Sequence, residues 1–460
     1  MNIDKLKRLV AIVVIFLVNS GAYSQSSRVG RLTHLLNSGR YFEVKELYNE
    51  ICDSIPPKID SYYKFRMAEA ENKREAAVVE MERTLKQYPG LFGSETIDIY
   101  SILFNTYRNL GKYNKVIEIY KLAKKHLRKN PYNIDKEELV LRKKNLKESF
   151  NYFKEVSSQP SIKMKRNTTP TSINIEDSIM LGFEAKLNGV SKRVIFDTGN
   201  SSYIIMKKKT AKDVGIRLKE DTKGMLNGVE MMGQKNIIDS IEIGNITLYN
   251  IPVIIYDFDL ASCLPDSIRN DSSMMKRFEI GNEYFENPII GLPSMLLIGK
   301  IKINWEDKKI SFPREDISLE QKVNNLFLYN NALYTYLKIN RIPFTGLLDN
   351  GSSGYVELDT IFYQKNQKGI PIDNVKGKKI LNIASAHGVK IAVPYLTADN
   401  PIVTFNEKTI AHCRNKHDII IYPIFSTRQI FDGSIGMNFL KCIGKKVLLD
   451  LDNMRLEALE

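Results

Sequence analysis

Two stretches decide the reading of this chain: Val194-Ile195-Phe196-Asp197-Thr198-Gly199-Asn200-Ser201-Ser202 and, further on, Gly346-Leu347-Leu348-Asp349-Asn350-Gly351-Ser352-Ser353-Gly354. Each is an apolar run ending in Asp, one polar residue, Gly, and then a Ser four positions after the Asp. The landmarks downstream repeat as well. Ile289-Ile290-Gly291 follows the first elbow and Ser434-Ile435-Gly436 the second, and from these glycines the chain aligns without a gap, Ile298-Gly299-Lys300 falling where Ile443-Gly444-Lys445 does. Both copies end in a charged turn between apolar residues, Trp305 to Phe312 and Leu449 to Leu456. The back half is therefore one unit of about 140 residues written twice. Its first copy carries short β-branched runs between Gly, Asn and Asp turns: Ile179 to Leu187, Lys192 to Phe196, Tyr203 to Met206, Ile237 to Ile243, Ile251 to Tyr256 and Ile301 to Trp305. Such runs predict an all-β domain.

The two elbows with their later glycines resemble the pepsin and retropepsin type of aspartic protease, over roughly residues 172 to 460. The resemblance implies two β lobes of about six strands each, one aspartate from each lobe, and a cleft between them that takes a peptide in extended form. The residue types suit that chemistry. Two carboxylates a few Å apart cannot both ionise, so the pair holds one proton. The ionised member then takes a proton from a trapped water, the protonated member hydrogen-bonds the scissile carbonyl, and the water attacks. Asp197 and Asp349 are the expected catalytic pair, and no metal, cofactor or covalent nucleophile is needed. Gly199 and Gly351 let the backbone turn close to the pair. Ser201 and Ser353 are expected to hydrogen-bond the outer carboxylate oxygens, and Thr198 and Asn350 to tie the two loops together. Asn350 departs from the family pattern, which has Thr or Ser there; an amide still donates and accepts, but it is longer. Thr222 to Lys235 and Asn382 to Lys390 are candidate flaps, the first without the Tyr of a pepsin-type flap. The alternative reading is a non-catalytic peptide-binding protein built on degenerate lobes.

The front half has a different period. From Arg31 to about Val156 apolar residues recur at three and four, the spacing of amphipathic helices. Three segments look alike: Leu35 to Ile51 around Gly39-Arg40-Tyr41, Met67 to Tyr88 around Asn72-Lys73-Arg74, and Tyr107 to Leu127 around Gly111-Lys112-Tyr113. Helical hairpins at that spacing resemble tetratricopeptide-type repeats. The expected organisation is thus multidomain: a signal peptide at 1–24, a helical hairpin domain at 25–157, a Ser/Thr/Pro-rich linker at 158–174, and aspartic protease-like lobes at 175–318 and 319–460.

The signal reading rests on Lys5, Lys7 and Arg8, the apolar run Leu9 to Val18, and small residues at Ala22 and Ser24. That run is shorter than the roughly 20 residues a membrane span needs, so the chain is expected to be exported, to the periplasm or beyond the cell, and not membrane-spanning once processed. Of the 460 residues, 67 are Lys or Arg and 53 Asp or Glu, a formal charge of +14. Between Lys112 and Lys147 lie twelve basic and four acidic residues. That stretch is a solvated helix surface or a docking patch for a protein or an anionic envelope polymer. Nucleic acid is not expected as a partner, because an exported chain rarely meets it and exposed helix faces are routinely rich in lysine.

Other chemistries find little support. Cys52, Cys263, Cys413 and Cys442 are too few and too scattered for a disulfide framework and form no CxxC pair, although Cys413 and Cys442 could pair in an oxidising compartment. His412 and His417 lack the spacing of a helix-borne metal pair. No serine sits in a Gly-x-Ser-x-Gly elbow.

Overall fold

The apolar period of the front half forms seven helices among the described residues: Arg28–Asn37, Tyr41–Ile51, Pro57–Ala70, Arg74–Gln87, Thr96–Asn109, Tyr113–Lys129 and Lys136–Ser157. The computed structural model describes residues 28–88, 90–169, 171–176, 180–226, 229–256, 270, 284–314, 324–385, 388–410, 418–421 and 431–459. The expected signal segment therefore lies outside the described residues, as do His387, His412, His417, Cys263 and Cys413. The chain divides into two compact units, one ending at Ser161 and the other beginning at Ile162.

Three of the helix-to-helix turns are built alike. Gly39, Asn72 and Gly111 take left-handed φ values of 71°, 57° and 67°. The next amide in each case bonds a carbonyl five residues back: Arg40 N to Leu35 O at 3.0 Å, Lys73 N to Ala68 O at 2.8 Å, Lys112 N to Tyr107 O at 3.0 Å. This closure satisfies carbonyls a helix end leaves open, and it needs a residue that tolerates positive φ. The core beneath is apolar, with Leu36, Val44, Phe65, Ala77, Met81, Leu103, Val116 and Ala123 buried.

Most of the basic stretch is exposed, including Lys121, Lys124, Lys125, Lys143, Lys144 and Lys147. Arg142 is the exception. Its side chain is 10% exposed and lies between Glu138 at 2.7 Å, Asp98 at 3.2 Å and Glu95 at 3.6 Å. Burial, with a hydrogen bond that the protonated carboxyl gives to Glu95, pushes Asp98 up to about 8.

In the second unit the expected strands are present, and Val190–Asp197, Val229–Ile243 and Ile246–Tyr256 are longer than expected. An eight-stranded sheet runs in the order Lys163–Arg166, Ile246–Tyr256, Ile204–Lys207, Ile289–Gly291, Val190–Asp197, Leu181–Leu187, Val229–Ile243, Thr222–Leu226. The strand Val229–Ile243 also pairs with Ile246–Tyr256 along its length, which closes the middle strands into a barrel. Within it, Val190–Asp197 lies parallel to Ile289–Gly291, and Ile204–Lys207 antiparallel to it on the other side. A ten-stranded sheet holds the same crossing: Ile342–Leu348 parallel and Val356–Leu358 antiparallel to Gly433–Ile435. A seven-residue helix follows each crossing, Leu292–Ile298 and Met437–Ile443. A five-stranded sheet joins strands from both copies through Lys300–Asn304 against Lys446–Asp450. There Lys302 opposes Leu448 and Ile303 opposes Val447, a pairing that is unchanged when the two copies are exchanged.

The structure differs from the sequence reading at 158–174. Lys163–Arg166 pairs with Ile246–Tyr249 and Ser172–Asn174 with Lys309–Ser311, so two pieces of the segment expected to be a linker are sheet edge. Edge pairing is made by backbone groups and asks for no apolar pattern; Lys163, Met164 and Lys165 all face solvent. Arg166 adds bonds to the carbonyls of Phe312 at 2.9 Å and Pro313 at 2.6 Å.

Within the basic stretch, Arg142→Ala is expected to destabilise the helical unit by about 3 kcal/mol, because it leaves the buried Asp98 and Glu95 pair, which carries a negative charge, without a counter-charge. Lys143→Ala and Lys144→Ala should each change stability by less than about 0.5 kcal/mol. Urea unfolding followed by circular dichroism checks the contrast.

Candidate active site

Each elbow is delivered by the last residues of a buried strand. Ile195 and Phe196, and Leu348 in the second copy, anchor strands that leave Asp197 and Asp349 at the strand ends. The apolar-Gly landmark lies beside each elbow: Asp197 pairs with Gly291, and the Asp349 amide bonds Ile435 O at 2.9 Å. Gly291 N bonds Tyr203 O and Leu292 N bonds Asn200 O, at 3.0 and 2.9 Å; Gly436 N bonds Tyr355 O and Met437 N bonds Ser352 O, at 3.2 and 2.7 Å. A side chain has no room here. A Cβ on Gly291 would stand 2.1 Å from Ser202 O, and one on Gly436 2.4 Å from Gly354 O.

The two loops grip each other. Thr198 Oγ1 donates to Leu348 O at 2.7 Å and accepts from Asn350 N at 3.1 Å. Asn350 returns both bonds: its Nδ2 donates to Phe196 O at 2.9 Å and its Oδ1 accepts from Thr198 N at 2.6 Å. The amide thus does with two atoms what the Thr hydroxyl does with one, and both side chains are buried. The departure from the family pattern at Asn350 keeps the reciprocal bonding.

This grip sets the carboxyls face to face. Gly199 N donates to Asp197 Oδ1 at 2.7 Å and Gly351 N to Asp349 Oδ1 at 3.1 Å. Each glycine lies against the opposite carboxyl: a Cβ on Gly199 would meet Asp349 Oδ1 at 2.5 Å, and one on Gly351 would meet Asp197 Cγ at 2.6 Å. Burial, and then the charge and hydrogen bond of Asp197, push the Asp349 carboxyl well above the ordinary carboxylate range. Glu357, on the strand Val356–Leu358, adds to that field and is itself raised by burial.

Ser201 and Ser353 are the residues expected at the outer carboxylate oxygens. Both are exposed, and Ser353 uses its carbonyl to accept from Asn438 Nδ2 at 2.6 Å. The residues before them close the turns, Asn200 Oδ1 accepting from Ser202 N at 3.0 Å and Ser352 Oγ from Gly354 N at 3.1 Å. One residue that the sequence reading did not single out reaches the pair. The Tyr284 hydroxyl donates to Asp197 Oδ2. Its only sequence signal is proximity to the Gly291 landmark.

The two candidate flaps are both β-hairpins, Thr222–Leu226 with Val229–Ile243 and Lys379–Ser385 with Gly388–Thr397, their tips lying outside the described residues. No group of three side chains suited to a metal ion occurs among the described residues, and no described helix is long and apolar enough to cross a membrane. Cys442 is disulfide-bonded, and Cys52 is a free, exposed thiol.

Two outcomes follow from this geometry. Asn350→Thr should fold with a loss under about 1 kcal/mol, because one hydroxyl can make both bonds, whereas Asn350→Leu strands Thr198 N and Phe196 O and should cost about 2–4 kcal/mol; denaturant unfolding compares them. The second concerns pH. The folded chain keeps a proton on Asp349 that the unfolded chain, with a carboxyl near 3.8, has lost above that pH. The stability this proton contributes is complete below about pH 4 and is lost as pH rises through the raised folded value. The melting temperature should therefore fall more steeply above about pH 4 in the wild type than in Asp349→Asn, as scanning calorimetry across pH would show.

Residues 183–275 match a family model described as aspartyl protease. Among solved structures, a retropepsin-like aspartic protease from Rickettsia conorii aligns at 18% identity, over 33% of this chain and 91% of its own, with a TM-score of 0.21. No curated protein matches the chain. The matched residues hold the first elbow and stop short of the second. Over that span the chain is similar to aspartyl proteases.

Proposed function

We propose that this chain is an exported aspartic endopeptidase whose two β lobes, products of an internal duplication, each contribute one catalytic aspartate. The observation that carries the reading is the reciprocal Thr198 and Asn350 bonding, which holds Asp197 and Asp349 against each other's glycine. A carboxyl pair built this way shares one proton, and burial places it on Asp349. Asp197 then accepts a proton from the attacking water while Asp349 donates to the scissile carbonyl oxygen, giving a neutral tetrahedral diol. Collapse of the diol passes a proton to the leaving amine and returns the pair to its starting state. The substrate is a peptide or protein in extended form, and the two hairpins are the lids that exclude water.

Export is supported by the basic and apolar N-terminal segment and by the disulfide at Cys442, a bond that persists in oxidising compartments. The helical unit is a docking module of tetratricopeptide type, supported by its three like turns, for a protein or an anionic envelope polymer.

The test is cleavage of a random peptide library by the purified chain between about pH 3 and 7. Asp197→Asn and Asp349→Asn should each lower kcat/KM on the order of a thousandfold or more while leaving the melt intact. Cleavage surviving in both variants would remove the pair from the chemistry. A wild type that cuts nothing and binds no transition-state-type inhibitor would leave a peptide-binding protein with degenerate lobes.

A further inference from the structure

The aspartate pair is dressed unequally. On the Asp197 side, Gly199 N fills Oδ1 and the Tyr284 hydroxyl fills Oδ2. Asn200, on the same turn, spends its side chain on Ser202 N and Ile289 O, at 3.0 and 3.5 Å. On the Asp349 side, Gly351 N supplies the described hydrogen bond, and the nearby strand brings a second acid, Glu357, whose carboxylate accepts from Ser434 Oγ at 3.3 Å. Tyr284 itself is seated edge-on against Phe285, with ring centroids 4.9 Å apart.

We propose that Tyr284 is a positioning residue of the aspartate pair: its hydroxyl serves the outer oxygen of Asp197 and so assigns the negative charge to Asp197 and the proton to Asp349. This rests on the protease reading for its catalytic meaning, while the hydrogen bond stands without it. An O–H donor favours the ionised form of the carboxyl it serves and does nothing for the protonated one. Glu357 works in the same sense from the other side, since a nearby acid disfavours a second charge on Asp349. The titratable groups that face this arrangement are Asp349, Glu357, Tyr256 beside Tyr284, and beyond Tyr256 the Glu286 carboxylate, which is paired with Lys207. Burial, then Asp197, hold the Tyr284 phenol well above its ordinary range, so it stays a neutral donor throughout the working pH.

The experiment is carboxyl titration by carbon-13 NMR of the full chain labelled at aspartate, with the two signals assigned through Asp197→Asn and Asp349→Asn. In Tyr284→Phe the lower of the two apparent pKa values should rise by roughly one to two units, the size of one hydrogen bond to a charged acceptor. The acid limb of kcat/KM should move the same way, with KM near the wild-type value. Should Tyr284→Phe fail to fold, 3-fluorotyrosine at 284, a stronger donor of the same shape, should move the lower value down. An unchanged titration in either folded protein overturns the proposal, as does higher activity with an unchanged titration, which would make Tyr284 a plug. A shifted titration in a chain that cuts no peptide upholds Tyr284 and removes the protease reading.

Discussion

The rest of the β unit depends on the reciprocal bonds between Thr198 and Asn350. They are buried and they satisfy two backbone amides and two backbone carbonyls that the sharp turns leave without a strand partner. Losing one partner would strand a buried polar group, which costs more than the bond itself contributes. The parallel crossings bring each strand to the right depth, and the landmark glycines let backbone pack directly on backbone behind the elbows. The central pairing of Lys300–Asn304 with Lys446–Asp450 then relates the two copies by an exchange that leaves the register unchanged. Facing carboxyls are the consequence of a backbone built twice and joined across one symmetric seam.

A symmetric backbone would make two equal acids, and acid–base chemistry needs two unequal ones. The side chains break the symmetry. Where the first copy has Asn200 the second has Ser352, where it has Ile205 the second has Glu357, and the position of Tyr284 corresponds to Gln429 when the copies are aligned on their landmark glycines. Asn200 and Ser352 both close their turns, whereas Glu357 adds to the field at Asp349 and Tyr284 brings a donor to Asp197.

The helical unit shows the same division between pattern and detail. Its charge is the most visible feature of the composition, and most of that charge lies on exposed lysines, where it costs the fold little. Arg142 stands in the same run but is drawn inside to meet Asp98 and Glu95 from another helix. Nothing in the local spacing separates it from Lys143 beside it.

By itself the sequence determined the elements that depend on local pattern: helices from a period of three and four, turns at Gly39, Asn72 and Gly111, β-branched strands, and two elbows with their glycines in matched contexts. The pairing of Thr198 with Asn350 was legible too, because a repeated motif announces a repeated role. The strands at Lys163–Arg166 and Ser172–Asn174 were not, since an edge strand held by backbone bonds carries no apolar signature. Nor were the exposure of Ser201 and Ser353 and the arrival of Tyr284 at Asp197. Those depend on which way a tight turn points its side chains and on what a distant segment brings alongside, and only the packed chain decides either.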